Sequence, residues 1–362
     1  MSNIFNDEYR VFVNSTGKYA CVATEIGFTI YGVHPLKKII SREIQGGVSI
    51  IKMLDESNIF LFVGRSENGP YPYNKFIIWD DNKKVILGEI LYNQRIQNVD
   101  VTNNNIYIQT DKKLYIYQFD NLLLLKQLDC NNLTNFCLSY KDNQILVYPS
   151  LNVGEICIIN MKNEQSSTIQ AHNSNIENVV ISNNGKYIAT ASEKGTIIRL
   201  FDVETKKLLN EFRRGTEYVN IIQLAFHPNL SLLLVESDKG TIHIFNTELD
   251  IDTNEYKPIK IDNMSNEIWQ IPNNRIFENY GISYIKFLLP NYFHSKWSFM
   301  SYTISNVNTL NIFDENTCMI YSFGNDGQYY ECAFNDINNP SINKVMKYII
   351  DKDDPFKDRK NN

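Results

Sequence analysis

The chain has 362 residues, of which 43% are hydrophobic and 21% charged, and its formal net charge is −6. This balance is typical of a globular protein, and the acidic net charge argues against broad electrostatic binding to nucleic acid or anionic lipid, so any anion site must be local. The 22 tyrosines and 20 phenylalanines, with abundant Ile and Asn, favour strands joined by Asn-rich turns. Coding DNA rich in A and T would give a similar bias.

Targeting signals are missing from the sequence. No apolar run approaches the ~18 residues of a membrane span, and the first ten residues lack the basic and apolar regions of a secretory signal. The ends carry neither a myristoylation glycine nor a prenylation box. Six scattered cysteines without C-x-x-C spacing indicate reduced thiols. These features predict a cytoplasmic protein.

A short motif recurs along the chain. Residues 192–197 (SEKGTI) return as 237–242 (SDKGTI), an offset of 45 residues. A weaker pattern, an alternating apolar strand that ends in a large side chain, extends over the whole chain. The large residues are Tyr31, Trp79, Tyr117, Ile159, Phe201, Phe245 and Phe334. The first six are 38 to 48 residues apart and the seventh follows after 89, about twice the ~40–45-residue period of WD40-type blades.

Seven copies predict an all-β fold, a seven-bladed β-propeller of WD40-like type with four-stranded antiparallel blades. Period-2 alternation of apolar residues favours strands over helices, and Gly185, Gly195 and Gly240 stand where tight turns would separate the strands. Because each sheet of a propeller buries its faces only against its neighbours, we predict one domain over residues 1–350, followed by a charged, disordered tail at 351–362. Two unrelated domains are the alternative.

Two adjacent arginines, Arg213 and Arg214, end the predicted outer strand of blade five in the sequence Phe-Arg-Arg-Gly-Thr (212–216). Neighbouring residues of a strand point to opposite faces, so the two side chains would serve two pockets, one on each side of the blade. Guanidinium groups bind phosphate bidentately, and residues 186–214 carry seven basic and only four acidic side chains. These features are compatible with two local anion sites. The arginine pair by itself does not favour them over the alternative, an ordinary solvated strand end.

The doubled last interval predicts an insertion in blade six, at about residues 249–296. It begins polar and acidic and then becomes amphipathic. A loop of this length in a compact domain is usually functional or disordered. Two interpretations stay open, an aromatic membrane anchor and a segment that packs on the edge of the propeller. The candidate membrane-inserting residues are Ile268, Trp269, Ile271, Phe277, Tyr280 and Ile282.

Motifs of enzyme and metal chemistry are missing as well. The sequence has no G-x-G-x-x-G, Walker, H-E-x-x-H or G-x-S-x-G motif. Asp250, Asp252 and Asn254 begin like a calcium loop, but Glu255 and Ile261 occupy the positions that require glycine and a bidentate glutamate. The five histidines show no metal-ligand spacing. We therefore expect no metal site, no cofactor and no enzymatic activity.

Several stretches together resemble the PROPPIN family of phosphoinositide-binding propellers. The likeness is strongest over residues 171–246, where the Phe-Arg-Arg-Gly motif stands between ASEKGTIIR (191–199) and SDKGTIHIF (237–245). Residues 71–81 and 289–299 resemble the family more weakly. The resemblance implies a seven-bladed propeller with two lipid headgroup pockets and a membrane-inserting loop in blade six. The implied ligands are phosphatidylinositol 3-phosphate and phosphatidylinositol 3,5-bisphosphate.

The resemblance also implies the residues of each pocket. The first would contain His172, Ser192, Thr196, Arg199 and Arg213. The second would contain Arg214, Ser237, Thr241 and His243. Guanidinium groups, hydroxyls and a protonated imidazole all donate hydrogen bonds to phosphate oxygens. A turn hydrogen bond for each hydroxyl, and a structural partner for each histidine, are the alternatives.

The leading hypothesis is a phosphoinositide-binding peripheral membrane adaptor, similar to the WIPI proteins and monomeric in solution. It would bind autophagy or membrane-trafficking proteins and no nucleic acid. From the cytoplasm it would be recruited to an autophagosome precursor, an endosome, a vacuole or lysosome-like compartment or, in some lineages, a plastid membrane. The alternative is a WD40-type protein–protein interaction scaffold without lipid specificity.

Overall fold

The structure is a computed structural model that describes residues 9–130, 136–140, 144–229, 231–247, 296–298, 300–304, 308–324, 327–334 and 342–349. The regular secondary structure of these residues consists of short β-strands. Among them there is no helix long and apolar enough to cross a lipid bilayer.

The strands form seven small sheets, the blades, which follow one another in chain order. The strands of blades one to four are β1 (Tyr9–Val13), β2 (Tyr19–Thr24), β3 (Gly27–Gly32), β4 (Lys37–Glu43), β5 (Val48–Met53), β6 (Ile59–Gly64), β7 (Lys75–Asp80), β8 (Val85–Leu91), β9 (Asn98–Val101), β10 (Asn105–Gln109), β11 (Lys113–Gln118), β12 (Leu124–Asp129), β13 (Cys137–Leu138), β14 (Ile145–Pro149), β15 (Glu155–Asn160) and β16 (Ser166–Gln170). Each blade takes four consecutive strands.

Blades five to seven contain the remaining strands. These are β17 (Ile176–Ile181), β18 (Tyr187–Ser192), β19 (Ile197–Asp202), β20 (Leu208–Arg213), β21 (Ile221–Phe226), β22 (Leu232–Ser237), β23 (Thr241–Asn246), β24 (Lys296–Trp297), β25 (Met300–Thr303), β26 (Thr309–Phe313), β27 (Met319–Gly324), β28 (Gln328–Phe334) and β29 (Ile342–Ile349). Blade five is β17–β20 with β24 added, blade six is β21, β22, β23 and β25, and blade seven is β26–β29.

The predicted seven-bladed propeller is confirmed. The large residue of each sequence copy lies on the third strand of its blade, from Tyr31 on β3 to Phe245 on β23 and Phe334 on β28. The doubled last interval also has its structural counterpart, because the partner of β23 on the outer side is β25 and the two strands are separated by 53 residues in the chain. The residues between them therefore join the third and fourth strands of blade six.

One feature was not predicted. Lys296 and Trp297 form β24, which pairs in parallel with β20, so that blade five carries a fifth, two-residue strand on its outer edge. The pairs are Phe212 with Lys296 and Arg213 with Trp297. The chain returning to blade six thus contacts the strand that carries the arginine motif.

The hydrophobic core lies between neighbouring blades. Because strand side chains alternate between two faces, each sheet packs one face against the blade before it and the other against the blade after it. Between blades five and six, Leu200 and Phe212 pack with Val235 and Phe245 in one buried cluster. The rings of Phe212 and Phe245 lie 5.2 Å apart, and burial of one such side chain contributes ~1.5–3 kcal/mol. This packing fixes which face of β20 is turned toward blade six.

Blades seven and one close the ring through side chains, since the four strands of blade seven all come from the C-terminal part of the chain. The hydroxyl of Tyr329 donates to the Val33 carbonyl at 2.7 Å, and the ring of His34 stacks on Tyr321 at 5.0 Å. Nδ1 of His34 lies 3.4 Å from a carboxylate oxygen of Glu331.

Candidate functional site

Arg213 and Arg214 stand at the outer edge of blade five, at the end of β20. On this strand Phe212 pairs with Ile198 and Arg213 with Ile197. Because Phe212 is buried against blade six, alternation turns Arg213 toward blade four. Arg214 follows the last residue of the strand, and its backbone N–H donates to the Thr196 carbonyl at 3.0 Å. The two guanidinium groups therefore leave the chain on different sides of one blade.

The side toward blade four holds the first predicted group, which we call the four–five site: His172, Ser192, Thr196, Arg199 and Arg213. Arg199 on β19 bridges the blades, because its Nη1 donates to the Ala171 carbonyl at 2.7 Å. Its Nε donates to the carboxylate of Glu211 at 3.0 Å. Glu211 precedes Arg213 by two residues on β20 and so shares its face. The charge of Arg199 is thus partly compensated within the site.

His172 is held at the end of blade four. Its Nε2 lies 2.9 Å from the hydroxyl of Thr190 and 3.3 Å from the Thr190 carbonyl. The residue is only 5% exposed, and burial, followed by the charge of Arg199, lowers the pKa of the imidazole to about 4. At neutral pH the ring is therefore neutral and donates from one nitrogen only.

The two hydroxyl residues of the four–five site occupy the end of β18 and the turn that follows it. Ser192 is buried and lies opposite Ile176 on the innermost strand. Thr196 is half-buried in the turn before β19. Gly195, in the same turn, has a φ of +61°, and a Cβ there would lie 1.9 Å from the Val219 carbonyl oxygen. The turn beside both arginines therefore requires glycine.

The side toward blade six holds the second predicted group, which we call the five–six site: Arg214, Ser237, Thr241 and His243. Nε of Arg214 donates to the Gly195 carbonyl at 3.1 Å and Nη2 to the Glu217 carbonyl. Burial lowers the pKa of this guanidinium, while the charges of Glu217 and Asp238 act in the opposite direction. Both contacts are to backbone carbonyls, so they fix the side chain without neutralising it.

His243 lies on β23, within the electrostatic reach of Arg214. Burial, and then the charge of Arg214, lowers the pKa of the imidazole to about 4. Nδ1 lies 3.1 Å from the hydroxyl oxygen of Ser298, and within the described residues Nε2 makes no hydrogen bond. As in the four–five site, the ring is neutral at neutral pH and is a single donor, in contrast to the two donors of the protonated form considered from the sequence.

Ser237 and Thr241 complete the five–six site on the blade-six side. Ser237 is fully buried at the end of β22, and its hydroxyl has no hydrogen-bond partner within the described part of the chain. A buried hydroxyl without a partner costs about 1–3 kcal/mol, which a ligand oxygen could offset. The hydroxyl of Thr241 lies 3.4 Å from that of Thr303 on the neighbouring β25.

Three residues at these sites were not predicted. Glu211 could have been found, because the spacing of two from Arg213 places it on the same strand face. Gly154 positions His172: its carbonyl accepts from the His172 N–H at 3.0 Å, and a Cβ there would lie 1.8 Å from the His172 carbonyl oxygen. Ser298 lies in the 289–299 stretch that resembles the family, but nothing in the sequence linked it to His243, from which it is 55 residues away in the chain.

The candidate membrane-inserting residues, Ile268, Trp269, Ile271, Phe277, Tyr280 and Ile282, and the predicted tail at 351–362 lie outside the described residues. Within the described ranges, no three His, Cys, Asp or Glu side chains are grouped so that they could hold a metal ion.

Comparison with solved structures places the fold among known propellers. Hsv2 of Kluyveromyces lactis superposes with a TM-score of 0.72 at 21% identity, covering 95% of this chain and 100% of that chain. A chain in the complex of KlAtg21 with the coiled coil of AgAtg16 gives a TM-score of 0.70 at 22% identity, covering 94% and 98%.

Relatives and a family model identify the family. "SVP1-like protein 2" of Schizosaccharomyces pombe is 37% identical over 241 residues, 65% of this chain and 66% of that protein, just under two-thirds of its length. "Autophagy-related protein 18e" of Arabidopsis thaliana is 30% identical over 322 residues, 86% of this chain and 80% of that protein. The PROPPIN family model matches residues 13–270. The resemblance noted in the sequence is thereby confirmed, and the chain belongs to the PROPPIN family.

Proposed function

We propose that this chain is a peripheral membrane adaptor that binds phosphatidylinositol 3-phosphate and phosphatidylinositol 3,5-bisphosphate through the four–five and five–six sites. It acts in autophagy or endolysosomal membrane remodelling and has no catalytic role. Membership in the PROPPIN family supports the proposal, as does the relative named for autophagy.

The observation that carries the proposal is the set of polar groups without a hydrogen-bond partner at the five–six site. Within the described residues, Nη1 of Arg214, the hydroxyl of Ser237 and Nε2 of His243 make no hydrogen bond. A phosphate monoester offers several acceptor oxygens and a negative charge, and charge-assisted hydrogen bonds from a guanidinium are among the strongest in proteins. An inositol phosphate headgroup therefore suits this combination better than a neutral ligand.

Two sites on one blade explain how modest contacts could hold the protein on a membrane. A basic residue near an anionic surface contributes about 1 kcal/mol, which is weak alone. Because both arginines are fixed to one rigid strand end, capture of one lipid raises the effective concentration of the second. Binding should then rise steeply with lipid density, and the propeller should stand with the rim of blade five against the membrane.

The insertion in blade six would add a third contact. It re-enters the propeller next to the five–six site, since β24 pairs with Arg213 and Ser298 contacts His243. It leaves from the opposite end of β23, the strand that carries His243. Burial of two or three of its aromatic and aliphatic side chains in lipid, at ~1.5–3 kcal/mol each, would rival one headgroup site. We propose that the insertion serves as this membrane anchor.

The proposal extends to protein partners and location. KlAtg21 has been captured with the coiled coil of AgAtg16, and we propose that this chain likewise binds autophagy or membrane-trafficking proteins. It would be a cytoplasmic monomer, without nucleic acid as a partner, that is recruited to phosphoinositide-rich membranes of autophagosome precursors or endolysosomal compartments.

Vesicle flotation tests the proposal. The wild-type chain should float with vesicles that contain phosphatidylinositol 3-phosphate and stay at the bottom with vesicles of phosphatidylinositol. The double substitution Arg213→Thr and Arg214→Thr should abolish flotation, because it removes one guanidinium from each site.

A matched control removes two positive charges from the other end of the same blade. Lys186 and Lys207 are exposed in the turns that precede β18 and β20, so Lys186→Thr with Lys207→Thr should leave flotation unchanged. Equal flotation of the arginine double variant and the wild type would overturn the proposal. It would favour the alternative, a protein scaffold without lipid specificity.

A further inference from the structure

The segment Lys296–Ser298 contacts both blades that form the five–six site. Its first two residues pair with Phe212 and Arg213 on the outer edge of blade five. The hydroxyl oxygen of the next residue, Ser298, lies 3.1 Å from Nδ1 of His243 in blade six. Three consecutive residues therefore connect the strand of the arginine motif to the imidazole of the five–six site.

The imidazole of His243 is fixed on its other sides. Its backbone pairs with Val235 on β22 and Ser301 on β25, and its ring stacks on Phe245 with centroids 6.2 Å apart and planes inclined by 22°. The contact from Ser298 favours, of the two ring orientations related by a 180° turn about the Cβ–Cγ bond, the one in which Nδ1 faces Ser298. Nε2 is then the nitrogen that remains for a ligand.

A neutral imidazole has one nitrogen that donates and one that accepts, and the partner of one nitrogen decides the role of the other. His243 is neutral at pH 7, because burial and Arg214 lower its pKa to about 4. If Nδ1 carried the hydrogen, the lone pair of Nε2 would face any oxygen of a bound phosphate and repel it. If Nδ1 accepts from a hydroxyl, Nε2 carries the hydrogen and donates.

We infer that Ser298 is a positioning residue for the five–six site: its hydroxyl donates to Nδ1 of His243 and so holds the tautomer whose Nε2–H donates to a phosphate oxygen beside Arg214. This inference rests on the proposed function for its ligand. The tautomer of the ligand-free protein does not depend on it.

The experiment uses the full chain with Arg213→Thr, so that only the five–six site is left intact, and soluble inositol 1,3-bisphosphate as the probe. Nitrogen-15 spectra of the His243 ring report the tautomer, and titration calorimetry reports headgroup affinity. Ser298→Ala should shift the ring toward a mixture of tautomers and weaken binding about tenfold, which corresponds to the loss of roughly one oriented hydrogen bond. The difference in headgroup affinity between the proteins with and without Ser298→Ala should become smaller as the pH falls, because a protonated ring donates from both nitrogens.

Two further substitutions keep the test independent of folding. Thr and Val have nearly the same shape, so Ser298→Thr should retain tautomer and affinity while Ser298→Val should lose both. Ser167→Ala, on the outer strand of blade four, is the control for loss of a serine and should change neither measurement. Thermal unfolding of all variants shows whether each is folded.

The outcomes separate the two proposals. An unchanged tautomer in the Ser298→Ala and Ser298→Val variants, or a changed tautomer with unchanged affinity, would overturn the positioning role and leave the proposed function standing. Absence of headgroup binding in the wild-type chain would overturn the proposed function, whatever the tautomer.

Discussion

The two sides of blade five present similar side chains in different electrostatic states. Toward blade four, Arg199 is paired with Glu211 at 3.0 Å, and His172 is held by Thr190 at 2.9 Å. Toward blade six, the hydrogen bonds that Arg214 makes within the described residues are to backbone carbonyls, and in the same part of the chain the hydroxyl of Ser237 has no partner. An anion that enters the four–five site competes with a carboxylate that is hydrogen-bonded to Arg199. At the five–six site the charges of Glu217 and Asp238 act on Arg214, but within the described residues its hydrogen bonds are to backbone carbonyls, so an anion there meets donors that are not yet used. We therefore expect the five–six site to bind a headgroup more tightly.

The largest expected effect separates the two arginines. Arg214→Thr should weaken vesicle binding about 100-fold, because two charge-assisted hydrogen bonds of ~1.5 kcal/mol each are lost at the tighter site. Arg213→Thr should weaken it about tenfold. Flotation over a series of phosphatidylinositol 3-phosphate densities measures both, and an equal or larger loss for Arg213→Thr would remove the difference between the sites.

A glycine pair tests the turn that both sites share. Gly195→Ala should destabilise the protein by about 2–3 kcal/mol, because the residue has a positive φ and its Cβ would collide with the Val219 carbonyl. Gly215→Ala, in the arginine motif itself, should change the free energy of unfolding by less than about 0.5 kcal/mol, because a Cβ there meets no atom of the described residues within 4 Å. Urea denaturation measures both values. Similar losses of stability in the two variants would show that the turn at Gly195 has no special requirement for glycine.

The buried histidine of the four–five site predicts a pH dependence of stability. His172 has a pKa of about 4 in the folded chain against an ordinary value of 6.5. Between pH 6.5 and pH 4 the unfolded chain therefore binds a proton that the folded chain does not, so acidification favours unfolding. This residue should account for roughly 1–3 kcal/mol over that interval. In urea denaturation measured from pH 7 to pH 4.5, the free energy of unfolding should fall less steeply with decreasing pH in His172→Gln than in the wild type. An equal slope in both proteins would mean that the His172 ring titrates normally in the folded chain.

The smallest expected effect comes from a substitution that makes the four–five site resemble the five–six site, in that its arginine is no longer paired with a carboxylate. Glu211→Gln removes the carboxylate that pairs with Arg199 and should strengthen headgroup binding at the four–five site about three- to tenfold, by roughly 1 kcal/mol. Calorimetry in an Arg214→Thr background measures this site alone. Weaker binding by Glu211→Gln would show that the carboxylate organises Arg199 for the ligand instead of competing with it.

Much of the fold could be predicted from the sequence, because every blade of a propeller buries the same strand positions and therefore repeats the same residue pattern. The large residue at the end of the third strand recurs from Tyr31 to Phe334, and that period alone predicts seven sheets. Strand alternation alone predicts that the side chain of Arg213 points toward blade four. Arg214 lies one residue beyond β20, where alternation no longer holds, and hydrogen bonds to the Gly195 and Glu217 carbonyls set its direction.

Contacts between distant parts of the chain could not be predicted in the same way. The parallel pairing of β24 with β20 joins residues about 84 positions apart and involves only two pairs, too few to leave a pattern. The contact of Ser298 with His243 could not be predicted either, because it forms only where the chain returns to the propeller after the insertion. The neutral state of His172 and His243 depends on burial between blades, which composition and spacing do not reveal.

The stoichiometry of headgroup binding tests most directly whether each arginine serves its own ligand. Calorimetric titration with inositol 1,3-bisphosphate should give two equivalents for the wild-type chain and one for each of the variants Arg213→Thr and Arg214→Thr. A single equivalent for the wild type, abolished by either substitution, would mean that both guanidinium groups hold one ligand and would contradict the account.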